Sequence, residues 1–344
     1  MRKSNSFLRK NSPYVIAELS GNHSSNWERT LKIIEGAINA GVNAIKTQAY
    51  DADSLTFKSD RKEFILPSTI WKNRHLYDIY TEGSMPWHWH EKISEICKKN
   101  NIDFISTPFD HKSVNFLEKI NCKYIKIASS EANDIDFIRY AASKSKRLFV
   151  STGMASLEEI DKIYEIFKKN SYQNLVLLKC TASYPSPIND MNLITLKDMQ
   201  RRYKCFIGLS DHSLGIQTPL TAYCLGATVI EKHITLDRDD GGLDSKFSLT
   251  PKEFKDLVEN LKLVSQSIGK ISYGPSKSEK TAMKYRRSLY AIKDIKIGDK
   301  FTRSNIKSIR PANGLDPHYI EDILTKVSKR NIIAGHPLRK DDLI

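Results

Sequence analysis

Eight short, β-rich apolar runs dominate this chain: YVIAELS (14–20), AIKTQAY (44–50), FISTP (104–108), YIKIAS (124–129), RLFVST (147–152), LVLLKCT (175–181), CFIGLS (205–210) and TVIEKHIT (228–235). Helical patterns separate most of them. In NWERTLKIIEGAINAG, apolar residues fall at Leu31, Ile33, Ile34, Ala37 and Ile38 before a stop at Gly41. SLEEIDKIYEIFKK opens with Ser156 and Glu159 in capping-box spacing. Strands that alternate with helices pair in parallel, and eight such units predict an α/β fold, a (β/α)8 TIM barrel. A doubly wound open sheet is the alternative, but no GxGxxG follows the first strand. The stretch DRKEFILPSTIWKNRHLYDIY, between the second and third strands, reads as an insertion on the βα face and a candidate lid.

After residue 270 the pattern changes. GKISYGPSKSEKTAMKYR reads as a linker punctuated by Gly274-Pro275, and SLYAIKDIKIGDKFTRSNIKSIRP offers short strands with turns at Ile297-Gly298-Asp299 and Arg303-Ser304. The expected boundaries are a barrel over 1–272, a linker over 273–284 and a small domain over 285–344. That tail is too short for a large core of its own and is expected to dock on another surface.

A chain of 344 residues, 40% hydrophobic, suits a soluble globular protein, and no apolar run nears the roughly 18 residues needed to span a bilayer. The start MRKSNSFLRKNSP is basic without an apolar segment, so it is not read as a signal peptide. Five cysteines without a CxxC pair fit a reducing, cytoplasmic setting. The net charge of +14 is spread over helical segments with no run of like charges, so neither nucleic acid nor a membrane is an expected partner.

In such barrels chemistry gathers at the C-terminal strand ends. Here those ends supply Glu18, Lys46 with Gln48, Thr107, Lys126 with Ser129 and Glu131, Ser151, Thr181 with Tyr184, Ser210 with His212, and Glu231 with His233. Strand alternation puts Glu231 and His233 on one face and Lys232 on the other, where it pairs elsewhere. Two imidazoles with carboxylates suit a divalent transition metal with open positions, although a lone strand-end histidine is more often structural. Asp211 has an alternative role as a helix cap that would leave His212 idle. Lys46 and Lys126 stand in apolar strands, where an unpaired ammonium is costly and an anionic ligand would relieve the cost. The residues alone thus point to metal-assisted chemistry on an anionic small molecule.

Together, IAELSGNH, IKTQAYDADSLT, STPFD, YIKIASSEAND, STGMAS, KCTASYP, GLSDHSLG and VIEKHITLD resemble the sialic acid synthase family, and SLYAIKDIKIGD with SIRP resembles its C-terminal antifreeze-like (SAF, β-clip) domain. The resemblance implies a transferase that condenses phosphoenolpyruvate with an amino sugar and water to give a nine-carbon ulosonic acid and phosphate. SSEANDIDFIR and DSKFSL are similar to the branch that makes pseudaminic acid, and GGLDSKFSL stands where N-acetylneuraminate synthases usually read GPDH. The implied sugar is 2,4-diacetamido-2,4,6-trideoxy-L-altrose, a diacetamido-trideoxy-hexose, with legionaminic acid or N-acetylneuraminate synthesis as the alternatives. A pyruvate-dependent aldolase and a non-catalytic sugar-binding barrel are the readings of a different class.

By the same resemblance, His212 and His233 match metal ligands, for Mn2+ or else Mg2+ or Co2+. Lys46, Thr107, Lys126, Ser129 and Ser210, with Ser151 beside them, match groups around phosphoenolpyruvate. Gln48, Tyr184 and Asp244 match sugar contacts. Glu18, Glu231 and Glu131 are the catalytic carboxylate candidates, the first two for activating water. Ala182 stands where the family often has asparagine, which leaves one anion contact unassigned. Arg310 matches an arginine that the SAF domain inserts into a partner's barrel, which implies a domain-swapped homodimer.

Overall fold

The computed structural model describes residues 13–67, 72–168 and 171–344. The basic start MRKSNSFLRKNS and residues 68–71 of the insertion lie outside the described residues. The chain divides into two compact units after Gly269. In the first, β1 (Tyr14–Glu18), β2 (Ala44–Ala49), β3 (Asp103–Pro108), β4 (Tyr124–Ile127), β5 (Arg147–Ser151), β6 (Leu175–Cys180), β7 (Phe206–Asp211) and β8 (Val229–His233) form a closed parallel barrel. β8 closes on β1 with Glu18 opposite His233. The eight expected runs are the eight strands.

Helices cover the outside for the reasons their sequences give. Trp27–Ala40 starts at Asn26, whose side chain accepts from Arg29 N, and stops at Gly41 in the left-handed region (φ 83°). Leu157–Ile166 starts at a Ser156–Glu159 capping box.

The pleat of the strands positions the site. Tyr14, Ile16, Ala44, Ile105, Phe149, Val176, Leu178 and Val229 form one buried apolar cluster that fills the barrel interior. Two residues further along each strand, the same face carries Glu18, Lys46, Thr107, Ser151, Cys180 and Glu231, and then His233. The barrel is therefore plugged with hydrocarbon at its lower end and ionisable at its C-terminal end. Gly208 fits the crowded plug because a Cβ there would meet Val229 O at 2.5 Å and Leu178 Cδ2 at 2.6 Å. The opposite strand face, including Val15, Ile45, Ile125, Leu177 and Ile230, joins the helices in the main core.

The insertion after β2 carries short helices at Ala52–Leu55 and Leu76–Gly83, with an antiparallel bridge between Ile65 and His75. In the second unit, β9 (Ser288–Ala291) pairs antiparallel with β10 (Ile306–Ile309). This tail does hold a small core of its own, in which Leu289, Phe301, Ile306, Ile323 and Leu338 are buried. No helix among the described residues is long and apolar enough to cross a membrane.

Candidate active site at the barrel mouth

A cavity of about 560 Å³ opens at the C-terminal strand ends. Of the fifteen expected site residues, twelve line it: Lys46, Gln48, Lys126, Ser129, Glu131, Ser151, Tyr184, Ser210, His212, Glu231, His233 and Asp244. Glu18 and Thr107 sit behind Lys46, and Arg310 belongs to the second unit, where it is exposed.

Four charges form the floor. Lys46 Nζ lies 2.6 Å from Glu18 Oε2, 3.5 Å from Glu231 Oε1 and 3.2 Å from Thr107 Oγ1, to which it donates. Lys126 Nζ lies 3.6 Å from Glu231 Oε1, which also accepts from Ser210 Oγ at 2.9 Å. The cost expected of an ammonium in an apolar strand is met here by carboxylates of the barrel itself. A low-dielectric barrel does not hold bare charges, and each lysine has a carboxylate nearby. The two lysines still differ. Lys46 is locked by Glu18 and Thr107, whereas Lys126 makes no hydrogen bond among the described residues, so its N–H donors remain to be used.

The titrations follow from these contacts. Burial pulls Lys46 down, but Glu18 and Glu231 outweigh it and hold the ammonium above its ordinary range. For Lys126 burial wins and lowers it. Glu18 is raised, mainly by burial, while for Glu231 the opposing pull of Lys126 and Lys46 wins and keeps it ionised. Glu18 Oε1 accepts from Ser20 N at 3.0 Å and Gln48 Nε2 at 3.1 Å, while its Oε2 has the Lys46 ion pair and no hydrogen-bond partner. Glu231 Oε2, Ser151 Oγ and Glu131 Oε2 are buried without a hydrogen-bond partner. Burial pushes Glu131 up to about 7.

The two histidines stand side by side, with ring centroids 5.2 Å apart. His212 Nδ1 lies 3.1 Å from Thr181 O, which fixes its proton there and leaves the lone pair on Nε2. Asp211 does not cap a helix. It takes Lys232 at 2.6 Å and Ser213 N at 3.0 Å, and the next helix begins at Gln217. His233 Nδ1 is buried without a hydrogen-bond partner, 3.8 Å from Asp244 Oδ2. Burial, with His212 next, drives His233 well below the usual imidazole range, while Cys180 and Thr181 outweigh burial at His212 and raise it. No group of three or more His, Cys, Asp or Glu set to hold a metal occurs among the described residues. Two imidazoles, one with an orphaned nitrogen, fit a metal that keeps open positions for a substrate.

Sequence reasoning missed several lining residues. Cys180 carried a signal: it follows Val176 and Leu178 on the inward face of β6, and its Sγ lies 3.8 Å from His212 Nδ1. Tyr50, Tyr80 and Leu243 carried none, because Tyr50 and Leu243 come from loops and Tyr80 from the short helix Leu76–Gly83 of the insertion, whose course no periodicity fixes.

Comparison with known proteins identifies the family. The NeuB family model matches residues 33–273 and the SAF domain model matches residues 286–344. The chain is 42% identical over 332 residues to the pseudaminic acid synthase of Campylobacter jejuni subsp. jejuni serotype O:23/36 (strain 81-176), covering 96% of each. It is 35% identical to the N,N'-diacetyllegionaminic acid synthase of Campylobacter jejuni serotype O:2, covering 96% of this chain and 98% of that protein. Among solved structures, the N-acetylneuraminic acid (sialic acid) synthetase of Leptospira borgpetersenii, in complex with citrate, superposes with a TM-score of 0.70 at 33% identity, covering 79% of this chain and 91% of that one.

Proposed function

This chain belongs to the NeuB family, and from that premise we propose that it is a pseudaminic acid synthase. It would condense phosphoenolpyruvate with 2,4-diacetamido-2,4,6-trideoxy-L-altrose and water, releasing phosphate. The observation that carries the reading is a set of under-satisfied polar atoms at one mouth, Ser151 Oγ, Glu231 Oε2 and His233 Nδ1 without a hydrogen-bond partner and Lys126 Nζ with Glu231 no nearer than 3.6 Å, in a chain 42% identical to a protein of that name over 96% of its length. Such atoms are expensive to bury and are normally paired, so together they describe the shape of a polar ligand.

In this reading Lys126, Ser129 and Ser151 hold the anionic end of phosphoenolpyruvate, because Lys126 has donors to spare and Lys46 does not. Lys46 holds Glu18 and Glu231 in place. Bringing C3 of the enol pyruvate against the sugar's aldehyde carbon lets the new C–C bond form, and positive charge develops at C2. Water adds at C2 and the C2–O bond to phosphate breaks. Glu231, kept ionised by Lys126 and Lys46, takes the proton from that water, and Glu18, whose Oε1 accepts from Ser20 and Gln48 and whose Oε2 pairs with Lys46, positions it. Gln48, Tyr184 and Asp244 orient the sugar. His212 and His233 would hold a divalent metal, Mn2+ first among the candidates, which when bound polarises the aldehyde oxygen.

The finer reading places the enzyme in the cytoplasm as a homodimer, with Arg310 of each SAF unit reaching the other subunit's sugar. The test is phosphate release from phosphoenolpyruvate by metal-stripped protein with Mn2+ restored, in parallel with the altrose, N-acetylmannosamine and the legionaminic precursor. Release with the altrose alone supports the reading, and release with another sugar alone moves the substrate within the family. Silence with all three, together with a borohydride-trapped lysine in the presence of pyruvate, would place the barrel among aldolases instead. Arg310→Ala should raise the sugar KM and spare that of phosphoenolpyruvate.

A further inference from the structure

The cavity has two unlike walls. The polar strand ends form one. The other is apolar, and four of its residues, Leu55, Leu66, Leu76 and Ile79, come from the insertion between β2 and β3, where they meet Tyr50 and Leu243. Gly83, the last residue of the helix Leu76–Gly83, shows how closely this wall is seated. A Cβ there would lie 2.7 Å from Tyr50 Oη and 3.2 Å from Leu243 Cδ1. Leu243 in turn precedes Asp244, whose Oδ2 accepts from Gly21 N at 3.4 Å and lies 3.8 Å from His233 Nδ1. The apolar wall is thus anchored beside Asp244 and the histidine pair, while Lys126 and Ser151 stand on the barrel ends. Leu66 and Leu76 are only half-buried.

Hydrocarbon of this kind is a poor surface for a fully hydroxylated sugar, because a hydroxyl pressed against leucine loses its water without gaining a partner. Methyl groups gain from the same contact, because it removes their hydrocarbon from water. We infer that the insertion wall, through Leu66 and Leu76, is the specificity surface that selects a sugar with a methyl group at C6 over its C6-hydroxylated counterpart. The inference rests on the proposed synthase reading and adds to it the residues that read the deoxy position.

The test compares kcat/KM for 2,4-diacetamido-2,4,6-trideoxy-L-altrose and 2,4-diacetamido-2,4-dideoxy-L-altrose, by phosphate release, in wild type, Leu66→Asn and Leu76→Asn. The phosphoenolpyruvate KM and a thermal melt are measured for each protein. Wild type should prefer the methyl sugar by roughly 10–100-fold, the range that small group differences in apolar pockets reach. Each variant that keeps the wild-type melt should narrow that preference about tenfold, with the phosphoenolpyruvate KM unchanged. An undiminished preference in both folded variants overturns the inference, as does a phosphoenolpyruvate KM that rises in step with the sugar KM. Wild type inactive with both altroses but active with another amino sugar would instead break the substrate reading, and the assignment of the wall would fall with it.

Discussion

Strand β8 feeds two buried ionic sites of opposite character from neighbouring residues. Lys232 points outward from the barrel and donates to Asp211 Oδ2 at 2.6 Å and Ser213 O at 2.5 Å, while Asp211 Oδ1 accepts from Ser213 N. Lys232 and Asp211 side chains are both 0% exposed, and every contact is internal. Glu231 points inward, where two lysines approach no closer than 3.5 Å and Oε2 is unpaired. A buried pair that is fully bonded ties β7 to β8. A buried cluster left under-satisfied beside a cavity has a cost that only a ligand removes. The same residue chemistry thus serves structure on one face of the strand and chemistry on the other.

Substitution at each site should separate these roles, and the widest gap is expected at Glu231. Glu231→Gln keeps the volume and an oxygen for Ser210 but loses the base, so kcat should fall about 10²–10⁴-fold, the usual contribution of a positioned acid or base. Asp211→Asn leaves Lys232 as an uncompensated buried charge and should cost about 3–5 kcal/mol in urea unfolding. The folded fraction of Asp211→Asn should retain kcat within a few-fold of wild type. If Glu231→Gln proved the more destabilising of the two, or Asp211→Asn the less active, the division between structural and chemical pairs would not hold.

A third carboxylate sharpens the comparison through pH. Glu131 has no lysine in contact, and burial, with a smaller push from Asp134, raises it to about 7 from an ordinary 4.5. Its neutral form fits the fold better than its ionised form. The stability it contributes is therefore fully present below about 4.5 and is lost as pH rises through about 7. Glu131→Gln mimics the neutral form, so its melting temperature should gain on wild type as pH goes from 5 to 7. A limb of kcat/KM near pH 7 should vanish in the same variant. Parallel melting curves for the two proteins across that range would show that Glu131 does not titrate there.

The barrel was legible because short β-rich apolar runs and helix caps are local signals, as in YVIAELS, AIKTQAY and SLEEIDKIYEIFKK. Lys46, Gln48, Lys126, Ser151, Ser210, Glu231 and His233 follow from strand alternation, whereas Ser129, Glu131, Tyr184 and His212 lie just past strand ends and Asp244 was supplied by the family resemblance alone. Pairing was harder to read. Whether Lys46 meets Glu18 or an anion depends on the closure of β1 on β2 and β8, a relation between segments far apart in sequence. The members of the small tail core were equally hard to name, since Leu289 and Leu338 reach one another across a loop-rich chain with few periodic runs. Tyr50 and Leu243 enter the site through loops, where only tertiary packing decides direction.

The smallest expected effect lies where the barrel meets the insertion. His23 is fully buried, and burial lowers it to about 4, so it stays neutral from pH 5 to 8. Its Nδ1 accepts from Ser25 N at 3.0 Å, which places the proton on Nε2, and Nε2 donates to Gly83 O at 3.2 Å. One imidazole therefore pins the end of the Leu76–Gly83 helix to the loop after β1. Unlike Glu231, it touches nothing in the cavity. His23→Phe keeps the ring and removes the hydrogen bond, worth about 0.5–1.5 kcal/mol, or roughly 2–13-fold in an equilibrium. The expected outcome is a sugar KM raised by that factor, an unchanged phosphoenolpyruvate KM and faster amide exchange over 76–83. His23→Gln, which can still donate to Gly83 O, should recover part of both. An equal rise in both KM values would mean that His23 supports the barrel as a whole and has no particular part in holding the apolar wall.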